Sequence, residues 1–503
     1  MARLIQSRRR SRNLPHAALC EALEPRMLLT AYTFSSIASF TGSVSGFQPQ
    51  GLVMDGAGNL FGVTAQGGAK GYGTVFKIAT GSGTITTLAS FTGKNGIGIS
   101  PRGSLVLDAQ GNLFGTTVGG GAFGKGTIFE VAAGTASTIT TVASFDGVNG
   151  SDPFGGLVVD AAGNFFGTSL GSSQAGFHSS VWELAAGAGS ITLLATFKPQ
   201  NYLTGALAID SSGNIFGTTA RGGTKSLGSV FELSGTAHTL TTLASFTGAN
   251  GSAPTGTLLL DAQHDLIGTT ANGGGSGDGT IFEIPATASS TIHTLATFTG
   301  SNGAHPLGTL IEDGVGNIFG VAAAGGSKGY GTVFERAAGT ANTLTTLFSF
   351  TGESTGANPS GPLVLDAQGN FWGATFLGGA QSHNAGTVFE LSPAVAGMAA
   401  SAAAPPHLVI TQQPASIGSG KSFTLVVKVE DAAGNVVTTV NSTATLTLAS
   451  GPATGAFKGT HTMKFVKGAA HIANLSLIGK GVYALQVEGD ALGGALSKVI
   501  TVV

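Results

Sequence analysis

One motif recurs seven times along this chain at an almost constant interval, and that recurrence limits the possible folds more than any other feature. GNLFGVTAQGGAKGYGTVFKI begins at Gly58, GNLFGTTVGGGAFGKGTIFEV at Gly111, GNFFGTSLGSSQAGFHSSVWEL at Gly163 and GNIFGTTARGGTKSLGSVFEL at Gly213. HDLIGTTANGGGSGDGTIFEI begins at His264, GNIFGVAAAGGSKGYGTVFER at Gly316 and GNFWGATFLGGAQSHNAGTVFEL at Gly369. Successive starts are 53, 52, 50, 51, 52 and 53 residues apart. A period of this length marks one supersecondary unit per copy, which buries its faces only against its neighbours.

Each copy reads as four short strands. In the second they are expected at Gly103–Asp108, Gly111–Thr117, Gly126–Val131 and Thr138–Phe145. Their residues are Val, Ile, Thr, Leu and Phe, the set that fits a pleated surface. Gly, Asn and Asp break the runs, as turns require. No segment of ten residues has helical periodicity. Ile128 and Phe129 alternate along the third strand, so both faces of the sheet need cover. Four-stranded sheets packed between like sheets supply it, which predicts a β-propeller with seven blades over 32–392.

The ends of the repeat predict a ring. The segment Tyr32–Gly42, YTFSSIASFTG, matches the outer strands TTLASFTG at 86–93 and 241–248. After TVFEL at 387–391 no such strand follows. The N-terminal strand is therefore expected to complete the last blade, which removes the exposed sheet edges. Residues 393–406, PAVAGMAASAAAPP, read as an Ala/Pro linker. Residues 407–503 alternate as short strands with frequent turns, which predicts a β-sandwich. The fold class is all-β throughout.

The repeat, GN-[LIF]-[FW]-G-[TV]-T…GG…G-[TS]-[VI]-F-E, resembles the GloVer-type tandem repeat of "choice-of-anchor" bacterial proteins. That resemblance implies a secreted or surface-exposed protein, with no catalytic residues to carry over. SFTLVVKVEDAAGNVV and GKGVYALQVEG resemble bacterial immunoglobulin-like modules, which implies a spacer or stalk. Asp431 and Asn435 within it are expected in a turn. Leu23-Glu24-Pro25-Arg26-Met27-Leu28-Leu29 resembles the LEPR-x-L-L segment near the N-terminus of large bacterial surface proteins. It implies that residues 1–31 form a disordered sorting leader, and that the protein is extracellular or on the cell surface.

Composition fits that location. Only 10% of residues are charged, against about 25% in typical soluble domains. Glycine is 82 of 503 residues, more than twice the ordinary share of about 7%. The net charge of −2 and the lack of a basic region argue against nucleic acid as a partner. The single cysteine, Cys20, permits no internal disulfide. No apolar run approaches the ~18 residues of a membrane span. A monomer is expected, with glycans or envelope proteins as partners.

Four groups of candidate site residues follow. Gly119-x-x-x-x-Gly124-Lys125 is nearly a phosphate loop, but Gly126 follows the lysine where Ser or Thr is needed, and a strand follows where a helix is needed. It reads as a connection between strands. Asp55, Asp108, Asp160, Asp210, Asp261, Asp313 and Asp366 each end the first strand of a copy, in D-x-x-G-N turns. They would form a carboxylate ring near one mouth of the channel. Such a ring could hold Ca²⁺ through oxygen ligands, although the turn role accounts for them better. Lys70, Tyr72, Phe123, Lys125, Phe177, Arg221, Lys328 and Tyr330 lie in loops that share one face, a surface suited to a glycan or peptide. Finally, Glu130, Glu183, Glu232, Glu283, Glu335 and Glu390 repeat with the blades, as structural positions do. His178, His293, His305 and His383 do not. No catalytic constellation and no cofactor is expected. The function expected is binding, adhesion or scaffolding, and the alternative is a polysaccharide lyase or hydrolase at the channel mouth.

Overall fold

The computed structural model describes residues 32–94, 96–134, 138–171, 178–203, 205–235, 237–288, 290–379, 384–393, 407–414, 416–430, 443–450, 456–458, 462–467, 469–489, 493–496 and 500–503. The basic leader, its LEPR segment, nearly all of the linker, Phe177, His383, Asp431 and Asn435 lie outside these residues.

Residues 32–393 form seven four-stranded antiparallel sheets, one per repeat. The second blade runs outward through Gly98–Leu107, Leu113–Gly120, Thr127–Val131 and Thr140–Ser144. The seventh runs through Ala357–Leu365, Phe371–Leu377, Thr387–Pro393 and then Tyr32–Ser39. The first strand of the chain is thus the outermost strand of the last blade, paired antiparallel with Thr387–Pro393. The ring closes as its sequence requires.

The blades are joined by aromatic contacts. The phenylalanine after each outermost strand meets the aromatic of the third strand in the next blade. The pairs are Phe40–Phe76, Phe91–Phe129, Phe145–Trp182, Phe197–Phe231, Phe246–Phe282, Phe298–Phe334 and Phe350–Phe389, with centroids 4.8–5.2 Å apart. Within a blade, each third-strand aromatic lies against the glycine of the FG pair in the second strand. Gly115 is the register partner of Phe129, and a Cβ there would lie 2.7 Å from Phe129 Cζ. This close approach is why the pattern reads F-G-T rather than an unbroken apolar run. Ile128 and Phe129 are both fully buried, in different inter-blade cores.

The innermost strand departs from expectation. In blade two the sequence places its start at Gly103, but it runs back to Gly98 through an irregularity between Arg102 and Val106. The glycine that looks like a strand boundary is a bulge facing the axis. Its equivalents Gly51, Gly103, Gly155, Gly205, Gly256, Gly308 and Gly361 form a waist. A Cβ on Gly103 would lie 2.7 Å from Gly156 Cα, and one on Gly361 would lie 2.6 Å from Gly51 Cα. Only glycine lets seven strands approach this closely.

The C-terminal residues form two sheets. One orders His407–Gln412, Ser422–Glu430, Ala469–Ile478 and Ala456–Lys458. The other orders Ser416–Ile417, Ile500–Val502, Gly481–Gly489, Thr443–Ser450 and Thr462–Lys464, with Gly493–Leu496 also on Gly481–Gly489. Leu425, Val427 and Leu477 of the first share one buried core with Leu446, Tyr483 and Leu485 of the second. Among the described residues no helix is long and apolar enough to cross a membrane.

Candidate functional site: two faces and a channel

The repeated aspartates are held in their own turns. Asp108 Oδ1 accepts the Gln110 N–H at 2.9 Å and the Asn112 N–H at 2.8 Å, and Oδ2 accepts the Asn112 side-chain amide at 2.8 Å. Asn112 Oδ1 in turn accepts the Ala133 N–H at 2.9 Å, which ties this turn to the end of the third strand. Asp55, Asp160, Asp210, Asp313 and Asp366 make the same three-bond turn. Burial pushes the Asp55 carboxyl up, but the Asn59 side chain, the Asn59 and Ala57 N–H groups and Lys77 outweigh it and hold it below its ordinary value. In the fifth copy Asp265 replaces the asparagine. Its N–H still donates to Asp261 Oδ1, at 2.7 Å, and its carboxylate cannot supply the amide that the asparagine directs at Oδ2. Among the described residues no group of three or more His, Cys, Asp or Glu side chains is arranged to hold a metal ion.

The face bearing these turns has a cavity of about 1000 Å³ between the innermost strands of blades six, seven and one. Asp55, Asp366, Glu312, Ile311, Leu365 and Trp372 line it. Trp372 Nε1 donates to Asp366 Oδ2 at 2.9 Å. Glu312 breaks the symmetry, because the other copies carry Met54, Leu107, Val159, Ile209, Leu260 and Leu365 there. Burial, then the charges of Asp261 and Asp313, push its carboxyl up.

The opposite face carries the loop residues singled out in the sequence. Phe123, Tyr330 and Tyr72 are 61%, 44% and 41% exposed. Lys70, Arg221 and Lys328 are exposed as well, and Lys125 is half-buried. The Arg221 guanidinium lies over the Tyr202 ring, 5.7 Å from its centroid. The glycine-rich loop at 119–125 joins two strands, Leu113–Gly120 and Thr127–Val131, and no helix N-terminus stands behind it.

Tyr72, Lys125 and Tyr330 occupy one repeat position, two residues before the third strand. Its members around the ring are Tyr72, Lys125, His178, Leu227, Asp278, Tyr330 and Ala385. Six of their carbonyls accept an N–H from the next blade. Ser100 donates to Tyr72 and Asp152 to Lys125, each at 2.9 Å, and Gln48 donates to Ala385 at 3.0 Å across the closure. Ala253, His305 and Asn358 bond in the same way to Leu227, Asp278 and Tyr330. All six donors have left-handed backbone, with φ between 50° and 58°, directly before a proline. The backbone here is fixed by blade docking, and the side chains vary.

Between the faces runs the channel. A cavity of about 620 Å³ at its waist is lined from all seven blades. Gln50, Phe154, Thr255 and Leu307 each precede a waist glycine and line it. Arg102 and Ser360 hold the same register position in blades two and seven. The sequence reading missed this ring. Its signal was present, since one repeat position reads Gln, Arg, Phe, Thr, Thr, Leu and Ser around the blades.

The architecture is that of a closed seven-bladed β-propeller built from tandem repeats. The chain belongs to the Gloeobacter/Verrucomicrobia repeat family, whose model matches residues 26–206 and 203–404. Among curated proteins no sequence matches it. Several solved structures are similar at low identity. The extracellular domain of a protein described as a one component system from B. thetaiotaomicron is 13% identical with a TM-score of 0.46, and the match covers 93% of this chain and 59% of that domain. This chain therefore spans less than two thirds of that domain. A Bacteroides thetaiotaomicron protein of unknown function is 12% identical with a TM-score of 0.39, covering 73% of this chain and 99% of that one. A protein from Bacteroides fragilis described as a 6-phosphogluconolactonase is 13% identical with a TM-score of 0.43, covering 66% of this chain and 89% of that one.

Proposed function

We propose that this is an exported, envelope-associated binding protein whose propeller presents the loop face to a glycan or an envelope protein. One observation carries the reading. At the position of Tyr72, Lys125 and Tyr330 a backbone frame repeated at six of the seven blades carries different side chains, of which Tyr72 and Tyr330 are exposed. Loops on a rigid scaffold are where recognition residues concentrate. The exposed aromatics Tyr72, Phe123 and Tyr330 suit sugar rings or peptide side chains. In this reading residues 1–31 are a sorting leader, 32–392 the binding unit, 393–406 a linker and 407–503 an immunoglobulin-like spacer.

The test is a glycan and polysaccharide array probed with the purified chain, scoring both retained protein and released reducing ends. Retention without release supports the binding reading, and loss of retention in Tyr72→Ala with Tyr330→Ala assigns it to this face. Unchanged retention in that double variant removes the face from the reading.

A polysaccharide-active enzyme is the second reading, favoured by Glu312. It is a carboxyl held above its ordinary value, in a cavity beside Asp55 and Asp366, at a position where the other copies are apolar. Raised carboxyls in cavities are how general acids are prepared. Release of reducing ends that Glu312→Gln abolishes would establish this reading instead.

A further inference from the structure

We infer that the channel mouth on the loop face holds a carboxylate-binding subsite at Arg102, fitted to an acidic saccharide. The inference deepens the binding reading, since the ligand would enter from the loop face.

Arg102 is the sole cation at the position preceding the waist glycines. Its Nε is buried, with no hydrogen-bond partner. Among the described residues no carboxylate pairs with it. Burial alone pulls the guanidinium below its ordinary value, although an arginine so placed keeps its charge. A buried donor without an acceptor is costly, and native structures rarely leave one without cause. Two blades away in the ring, Ser360 Oγ at the same position is also buried and without a partner. Gln50 of blade one stands between them, its side-chain amide donating to its own Gln48 carbonyl at 2.8 Å. Three adjacent blades thus carry polar residues directly before their waist glycines, and two of them have unused hydrogen-bonding capacity.

The surroundings of Arg102 select the carrier of the carboxylate. The Arg102 guanidinium lies over the Phe154 ring, 5.5 Å from its centroid, and Phe154 is 38% exposed. This fixes the planar fork, which matches a carboxylate through paired N–H donors. Phe154 and Gly103, next to Arg102, line the waist cavity, whose polar side chains are Gln50 and the hydroxyls of Ser104, Thr255, Thr257 and Thr309. An apolar ring beside hydroxyls and one cation suits a pyranose bearing a single carboxylate. An acidic peptide would call for several cations, and Arg102 is the one cation beside a cavity whose lining has none.

The experiment is calorimetric titration of the full chain with D-glucuronate and D-galacturonate, against glucose, acetate and a tetra-glutamate peptide. A uronate is expected to bind at least tenfold more tightly than glucose or acetate and to raise the melting temperature. Arg102→Met, which keeps the apolar stem, is expected to lose that preference, and Ser360→Ala to weaken binding less. Uronate binding that survives in a folded Arg102→Met variant overturns the site. Equal binding of acetate or tetra-glutamate overturns the saccharide assignment. If Arg102→Met fails to fold, the wild-type ranking of uronate against glucose decides, and equality there overturns the proposal. The loop-face variants Tyr72→Ala and Tyr330→Ala should leave monosaccharide binding intact, so failure at Arg102 is distinguishable from failure of the face.

Discussion

The ring of Phe40 meets the ring of Phe76 edge-on, with centroids 5.0 Å apart and planes at 76°, although one residue follows the first strand of the chain and the other lies in the third strand of blade one. Six other blade junctions repeat this contact between consecutive repeats. Here it joins the last blade to the first, and two backbone bonds accompany it. The Phe40 N–H donates to Gly386 O and the Gln48 N–H to Ala385 O, both at 3.0 Å.

If closure is energetically equivalent to any other junction, Phe40→Ala should cost as much as Phe91→Ala. Truncating a buried phenylalanine typically costs about 3–5 kcal/mol. Both rings are essentially inaccessible to solvent. Calorimetric melting of the two variants should therefore show similar losses. A much smaller loss for Phe40→Ala would mean that the ring is held shut elsewhere.

The FG glycines give a second prediction. Gly115→Ala places a Cβ against both Phe129 and Leu105, at 2.7 and 2.8 Å. Overpacking of this kind typically costs about 1–3 kcal/mol. Gly275 has open space around it and no left-handed φ, so Gly275→Ala should be neutral or stabilising by a few tenths up to about 1 kcal/mol. Denaturant melts of the pair separate a steric requirement from a general loss of glycine.

The fifth turn supplies a repair. Asp265 keeps two bonds of the motif, its own N–H to Asp261 and its Oδ1 to the Ala286 N–H at 2.8 Å. It lacks the amide that the other six turns direct at the aspartate Oδ2. Asp265→Asn restores that donor and removes one of two neighbouring carboxylates, a gain of about 1 kcal/mol. A urea melt at low ionic strength should show the increase, and Asn112→Asp should show the reverse in blade two.

Much of this was legible because repetition averages away local noise. Seven copies fixed the four strands, and Tyr32–Gly42 revealed the closure by resembling strands that follow the other blades. Gly103 misled for a physical reason. Glycine punctuates strands and also permits a bulge at a crowded axis, and a single letter does not distinguish the two. Arg102 does not stand out in the sequence because the recurring motif, GN-x-FG, describes the frame and lies outside its position. The residues that differ between copies lie where symmetry is not needed for packing: Arg102 and Ser360 directly precede waist glycines, and Glu312 lines the cavity on the opposite face.

Two partly buried carboxyls give a pH dependence. Burial, then the charge of Asp313, pushes the Glu335 carboxyl above its ordinary value of 4.5. Tyr32 nearby is pushed up to about 12, by burial and then by Glu335 and Asp313, so it stays neutral. A carboxyl whose folded pKa exceeds its unfolded value binds its proton better in the folded protein. Its contribution is fully present below the unfolded value and is lost as pH rises through the folded one. Glu335→Gln carries no such charge. The variant should match wild type near pH 3.5, then melt progressively higher than wild type as pH rises to 7. Glu312→Gln should behave alike, because burial, Asp261 and Asp313 push that carboxyl in the same direction. Melting curves for the three proteins across that range test the sign, and a wild type more stable than Glu335→Gln at pH 7 would show that a hydrogen bond to the carboxylate outweighs its burial.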